Sequence, residues 1–237
     1  MPVMRQKRGY VAFVSGIGTD VGKTVATGLM ARWLLAMGRD AITVKLVQTG
    51  NVGRSEDVEA HRRLMGGVRF PEDDAGLTAP QIFKFPSSPL LAAQLEGKAV
   101  DVAKMAESVE ACAAAHEVVL VEGAGGLAVP LAETQLMADF AAEQGWPLVL
   151  VTCGSLGAIN HALLSLEAAK SRGMSVAGVV HNSCFSADER LDGDAVAAIS
   201  RHLVRLGYED RIVRIPRVDL SSPLEIDFGD IFRGAGR

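Results

Sequence analysis

Short runs rich in Val, Ile and Leu alternate along the chain with longer stretches whose apolar residues recur every three or four positions. The first pattern is that of strands buried on both faces, the second that of helices crossing over a parallel sheet. Strands are predicted at Tyr10–Ser15, Ala41–Leu46, Val118–Glu122, Pro147–Thr152, Ser175–His181 and Arg211–Ile215. A seventh, Gln81–Phe85, lies between Pro80 and Pro86, which confine it to a sheet edge. Helices over Val25–Met37, Gly157–Arg172 and Ala187–Leu206 each stop at a glycine (Gly38, Gly173, Gly207), and Asp101–His116 opens on a residue able to cap it. The expectation is an α/β fold: one three-layer α/β/α domain over residues 1–237 around a mostly parallel seven-stranded sheet. Periodicity fades after Asp219, so the tail to Arg237 is expected to be partly ordered.

Composition narrows the function classes. The net charge of −4 comes from mixed charges, and only 5% of residues are aromatic, so neither a phosphate-neutralising basic surface nor a base-stacking platform is available. No nucleic-acid partner is expected. Met1–Arg8 is basic, but the apolar run after it is too short for a signal peptide, and no stretch approaches the roughly 18 apolar residues of a membrane helix. A cytoplasmic, soluble protein with no membrane partner is expected. Cys112, Cys153 and Cys184 are odd in number and widely spaced, which fits three buried reduced thiols better than a disulfide framework or a metal site.

The 25 glycines are the compositional excess, and several fall where strands give way to loops. Gly16-Ile17-Gly18-Thr19-Asp20-Val21-Gly22-Lys23-Thr24 follows a predicted strand and opens a predicted helix, as a phosphate loop must. Glycines let backbone N–H groups converge on an anion, Lys23 reaches the terminal phosphates, and the Thr24 hydroxyl suits Mg²⁺. Five residues separate Gly16 from Gly22 where the usual pattern has four. Lys45 lies inside an apolar run, a costly place for a charge unless an anion or acid meets it, though an edge lysine can also snorkel to water. Glu122 ends another apolar run and enters Gly123-Ala124-Gly125-Gly126, where its carboxylate can hold Mg²⁺ or simply form a cap or salt bridge. Asp57, in Ser55-Glu56-Asp57, reads as a helix N-terminal acid that can complete such a site.

Together with Lys45-Leu46-Val47-Gln48-Thr49-Gly50, Ser155-Leu156-Gly157-Ala158-Ile159-Asn160-His161 and Ile215-Pro216, these segments resemble the dethiobiotin synthetase family from about Val11 to Arg217. The five-residue loop spacing is that family's own. The resemblance implies a P-loop NTPase fold and ATP-dependent carboxylation and ring closure of 7,8-diaminononanoate with CO₂, a step of biotin biosynthesis. It assigns Lys45, Lys23 and Thr19 to catalysis and Thr24, Asp57 and Glu122 to Mg²⁺. To the nucleotide it gives Asp20, Val21, Gly22, Lys23, Thr24 and Val25, with Asp57, Glu122, Gly123, Ala124 and Gly125. Asn182 and Ser183 then fall beside the adenine, flanked by Pro216, Arg217 and Val218. Thr49 would meet the small diamino acid near its amines, and Gly157, Ala158, Ile159 and Asn160 would meet its distant carboxylate from the partner subunit of a homodimer. The chain departs from the family at Ile17-Gly18, where Thr-Asp is common, at Leu46, where Pro is common, and at Ser183, where Asp is frequent.

Two other readings share the phosphate loop. A cobyrinate-type amidoligase usually adds a glutaminase domain with a nucleophilic Cys, for which the chain shows no segment. A ParA/MinD-like switching ATPase has a second lysine early in the loop, where Gly18 and Thr19 stand here.

Overall fold

The computed structural model describes residues 8–186, 188–217 and 226–235. β1 (Tyr10–Gly16) leads through the glycine-rich loop into α1 (Lys23–Ala36), followed by β2 (Ala41–Lys45) and the two-residue β3 (Gln48–Thr49). Next come α2 (Glu56–Leu64), the single-turn α3 (Pro71–Asp74), β4 (Ile82–Phe83), α4 (Pro89–Leu95) and α5 (Val102–Ala115). After β5 (Val118–Gly126), β6 (Pro130–Ala132) and β7 (Gln135–Leu136) form a small antiparallel pair ahead of α6 (Met137–Glu143). β8 (Leu148–Cys153), α7 (Ala158–Ser171), β9 (Val176–Asn182), α8 (Glu189–Arg205) and β10 (Ile212–Ile215) follow.

Six strands form one parallel sheet in the order β10-β9-β8-β1-β5-β2. The predicted seventh strand does not join it. Ile82–Phe83 pairs instead with Gln48–Thr49 in a separate two-stranded sheet. Pro80 and Pro86 limit the run, and the outer edge of β2 is met by the Thr78 carbonyl, which accepts from the Lys45 N–H at 2.8 Å.

The alternation within the strands builds two cores. β1 sends Phe13 to one face and Ala12 and Val14 to the other; β5 divides Val119 and Val121 from Val118 and Leu120 in the same way. Met105 and Val109 of α5, Phe140 of α6, Leu166 of α7 and Leu203 of α8 cover the first face. Met30 and Leu34 of α1 cover the second, joined by Phe228, Ile231 and Phe232 from the far end of the chain. The described part of the tail, residues 226–235, is docked: Trp33 stacks on Phe232 at 5.9 Å between ring centroids and meets Phe228 edge-on. Cys112 and Cys153 are buried as expected, whereas Cys184 is only partly so, because it lies in the short 3₁₀ turn after β9. Burial pushes the Cys112 thiol up to about 12, with the Glu72 charge adding to it, so it behaves as a small apolar side chain. Among the described residues no helix is long and apolar enough to cross a membrane.

Because β1 stands between β5 and β8 while α1 carries the chain past β5 to β2, the sheet reverses its winding beside β1. Ligands bind such sheets outside the carboxyl ends of the strands at that switch point. The loops after β1, β2 and β5 all open there.

Candidate active site

The loop after β1 has two residues at positive φ, Asp20 at 58° and Gly22 at 91°. A side chain at Gly16 would press on Val21 and on the Gly18 carbonyl, and one at Gly126 would come within 3.1 Å of the Gly16 carbonyl. Two glycines therefore face each other where β1 and β5 part. α1 begins at Lys23 with neither a side-chain cap nor an acid in its first turn, leaving its N-terminal N–H groups to an anion. Lys23 is buried and donates to the Gly18 carbonyl at 2.7 Å, folding back over the loop. Burial, reinforced by the nearby Lys45 charge, pushes its ammonium down to about 8.

Lys45, at the end of β2, reaches both acids. Its Nζ lies 2.6 Å from Asp57 Oδ2 and 2.7 Å from Glu122 Oε1, and it donates to the Gly123 carbonyl at 3.2 Å. Burial pushes its ammonium down, but the charges of Glu122 and Asp57 outweigh burial and hold it above its ordinary value. Glu122 shows the converse. Burial pushes its carboxyl up, yet the Lys45 charge and the His61 hydrogen bond hold it well below the usual carboxylate range. Thr24 Oγ1 stands 3.2 Å from Asp57 Oδ1 and 3.1 Å from Glu122 Oε1. One hydroxyl and two carboxylates make a hard, all-oxygen donor set of the kind Mg²⁺ takes when phosphates and water complete its shell. Among the described residues there is no group of three or more His, Cys, Asp and Glu placed to hold a metal ion by themselves.

Local structure explains why Asp57 arrives here. Ser55 caps α2 by accepting from the Val58 N–H and donates to Gln48 Oε1 at 2.7 Å, while Asn51 Oδ1 accepts from the Glu56 N–H. These bonds fold residues 48–56 so that the first turn of α2 faces the phosphate loop. Thr49, half-buried in β3, lies on the same connection. Thr19 is exposed, with its hydroxyl 3.9 Å from where a Cβ on Gly125 would stand; Gly123 and Ala124 complete the turn out of β5.

A second group of residues gathers beyond β9. Asn182 donates from Nδ2 to the Val21 carbonyl at 3.2 Å, tying this corner to the phosphate loop. Ser183 donates to Asp192 Oδ2 at 2.9 Å, and the Cys184 thiol approaches the Pro216 carbonyl at 3.5 Å. Pro216 and Arg217 are exposed, and Val218 lies outside the described residues. Beneath them His181 joins Thr152 Oγ1 (2.9 Å) to Asp192 Oδ1 (2.8 Å), and Arg214 pairs with the same carboxylate. That hydroxyl–imidazole–carboxylate series is scaffold, since Thr152 and His181 have no exposed surface. Val25 follows Thr24 in the first turn of α1. Gly157, at φ 88°, precedes α7; Ala158 is buried, Ile159 half-buried and Asn160 exposed. Among the described residues no hydrogen bond or ion pair joins these four to Lys45 and its acids.

Reading of the sequence missed His61, which is fully buried with Nε2 2.8 Å from Glu122 Oε2. The signal present was its spacing, four residues after Asp57 and so on the same helix face. A groove of about 510 Å³ lies on the other side of α2, lined by Arg54, Arg62, Arg63, Arg69 and Asp73. It is not the chemical centre: Arg54, Arg62 and Arg69 pair with carboxylates of their own surroundings.

The AAA domain family matches residues 11–222. The ATP-dependent dethiobiotin synthetase BioD of Chlorobaculum tepidum is 43% identical over 227 residues, covering 95% of this chain and 93% of that protein. BioD 2 of Haemophilus influenzae, also an ATP-dependent dethiobiotin synthetase, is 45% identical over 174 residues, 73% of this chain and 91% of its own. Among solved structures, a ParA family ATPase from Chlorobium tepidum superposes with a TM-score of 0.52 at 14% identity, covering 90% of this chain and 86% of that one. At that identity the likeness concerns the fold alone.

Proposed function

The chain belongs to the ATP-dependent dethiobiotin synthetase family, and from that premise we propose that, acting as a single domain in each subunit of a cytoplasmic homodimer, it closes the ureido ring of dethiobiotin from 7,8-diaminononanoate, CO₂ and ATP. The observation that carries this reading is Lys45, a buried ammonium held between Asp57 and Glu122 beside the phosphate loop. Phosphoryl transfer between two anions asks little covalent chemistry of a protein and much electrostatic placement.

One amine of the substrate adds to CO₂ and loses a proton, giving a carbamate. A carbamate oxygen attacks the γ-phosphorus of ATP, and ADP leaves. The second amine then attacks the carbonyl carbon of the mixed carbamic-phosphoric anhydride, expelling phosphate, losing a proton and closing the ring. Lys23 and the first N–H groups of α1 bind the phosphates, Lys45 neutralises the carbamate as it approaches, and Thr19 lines the loop where the γ-phosphate departs. Mg²⁺, held by Thr24, Asp57 and Glu122, would offset phosphate charge during transfer. Asn182 and Ser183, with Pro216, Arg217 and Val218, take the adenine, while Gly123, Ala124 and Gly125 give the phosphates room. Thr49 meets the diamine end of the substrate. Gly157 to Asn160, at the start of α7 in the partner subunit, meet its carboxylate, which suits an uncapped helix start.

Fixation of labelled bicarbonate into an acid-stable product, with and without 7,8-diaminononanoate and ATP, tests the assignment. The expected result is incorporation that needs both. Fixation independent of the diamine, or ATP hydrolysis stimulated by DNA or lipid instead, would sink it.

A further inference from the structure

His61 lies one turn along α2 from Asp57, and neither its imidazole nor the Glu122 side chain has any exposed surface. Nδ1 has no hydrogen-bond partner among the described residues. An ionised carboxylate can only accept, so the ring nitrogen facing it is the donor: His61 Nε2 donates its hydrogen to Glu122 Oε2 at 2.8 Å. The two oxygens of Glu122 are thereby given different partners. Oε1 accepts from Lys45 at 2.7 Å and from Thr24 at 3.1 Å; Oε2 accepts from His61.

We propose that His61 is a positioning residue of the reaction centre, fixing the plane of the Glu122 carboxylate so that Oε1 stays turned toward Thr24 and Lys45. The inference rests on the reading of Thr24, Asp57 and Glu122 as the metal-holding set. Without a donor at Oε2, the carboxylate can pivot about its terminal bond and turn both oxygens to Lys45, the strongest donor within reach. Bulk water does not reach Glu122 to replace the lost bond. α2 thus serves twice from one face: Asp57 supplies an acid, and His61, four residues on, orients the other. The Ser55 cap fixes where both begin. A histidine present only to fill space would need no donor at this position, and an aliphatic residue of similar volume would serve as well.

The test compares His61→Gln, whose amide nitrogen can occupy the Nε2 position, with His61→Leu, which keeps bulk and loses the donor. Mn²⁺ binding in the presence of ADP is followed by electron paramagnetic resonance, and metal-free ADP binding and thermal melting are measured alongside. His61→Leu is expected to weaken Mn²⁺ by about 10- to 100-fold, the range for loss of a group that orients a metal ligand. Metal-free ADP affinity should stay within about twofold, the scale set by the retained loop and α1 start. His61→Gln should recover most of the Mn²⁺ affinity, and kcat should follow Mn²⁺ affinity while the diamine KM holds. If His61→Leu does not fold, His61→Asn, whose amide stops near the Nδ1 position, replaces it in the comparison. Mn²⁺ affinity unchanged in the donor-free variant, or no better in His61→Gln than in that variant, overturns the proposal. A Glu122→Gln control separates the two ideas: weak Mn²⁺ binding there with normal binding in His61→Leu overturns His61 alone, whereas normal binding in Glu122→Gln overturns the metal reading itself.

Discussion

Two lysines in one site have been given opposite characters by their neighbours. Lys45 is a locked cation, because Asp57 and Glu122 more than offset the cost of its burial. Lys23 holds its proton far less firmly, since burial and the adjacent Lys45 charge act in the same direction. Removing the first charge leaves two carboxylates facing each other without a counter-ion; removing the second leaves the loop without its cation. Lys45→Gln is therefore expected to keep the fold and lower ring-closing turnover by roughly 10²- to 10³-fold, as loss of one electrostatic stabiliser does. Lys23→Gln should do the same and weaken ATP as well, which bicarbonate fixation and ATP titration would separate. Near-normal turnover in both variants would dismiss the assigned roles. Lys45 and Glu122 were legible in the sequence because each interrupts or ends an apolar run, where a charge stands out against its surroundings. His61 was not, because it sits on a helix rich in charged residues, where its four-residue spacing from Asp57 is the sole sign that it shares that acid's face.

At the scale of elements, α2 divides its work between two faces. One carries Asp57 and His61 to the phosphate loop; the other carries Arg62, which grips Asp73 of α3 through Nε and Nη2 and donates from Nη1 to Thr43 Oγ1 of β2. Burial pushes the Asp73 carboxyl up, but hydrogen bonds from Arg62 and the Phe70 N–H, with the Arg62 charge, outweigh it and bring it below its ordinary 3.8. A folded carboxyl with a depressed value stabilises the fold at pH above the unfolded value and loses that contribution as pH falls toward the folded one. Asp73→Asn should thus cost about 1.5–3 kcal/mol near neutrality, the scale for losing charge-assisted hydrogen bonds at a part-buried site. Its deficit against the parent should shrink below about pH 4, where the carboxyl of the unfolded parent takes up a proton before the folded one does, and be gone once pH falls through the folded value. Urea unfolding at several pH values measures both, and a deficit constant from pH 7 to pH 3 would show that charge pairing is not its source. The six strands of the main sheet and the four long helices could be read from periodicity alone. α2, α4 and α6 could not: at nine residues or fewer they offer little period to count, and Ser55 and Ser88 set two of their starts. The Gln81–Phe85 run had the right residues for a strand, but its pairing with Gln48–Thr49 depends on a loop path that no local pattern records.

Over the whole molecule, two surfaces carry consequences beyond the site. Leu156 is 92% exposed just before α7, and Leu164, four residues after Asn160 on the same helix face, is 60% exposed. In the proposed homodimer that face lies at the subunit boundary, so Leu164→Glu should yield monomers by light scattering and raise the diamine KM, while a variant that stays dimeric would argue against the placement. The other surface is covered from within the chain. Residues 226–235 pack Phe228, Ile231 and Phe232 against α1, the Arg39 guanidinium donates to the Ala235 carbonyl, and Ile231 seats over Gly178, where even a methyl group would clash. Their spacing in sequence, with the two aromatics four apart, announces no regular element, because the segment is a string of turns whose order comes from Trp33 beneath it. α1 bears Trp33 toward one end and the phosphate-binding start at the other, so the docked segment braces the helix without touching the nucleotide side. Removing residues 226–237 should therefore expose Trp33 and lower stability by at least the 3–5 kcal/mol typical of losing one buried Phe. The ATP affinity of the molecules that remain folded should change little, because Lys23, Lys45 and their acids are positioned by β1, β2, β5 and α2. Urea unfolding with and without ATP distinguishes the two effects: equal stability in the shortened chain would mean the packing contributes nothing, and a collapse of ATP affinity at full folding would mean the brace reaches the loop.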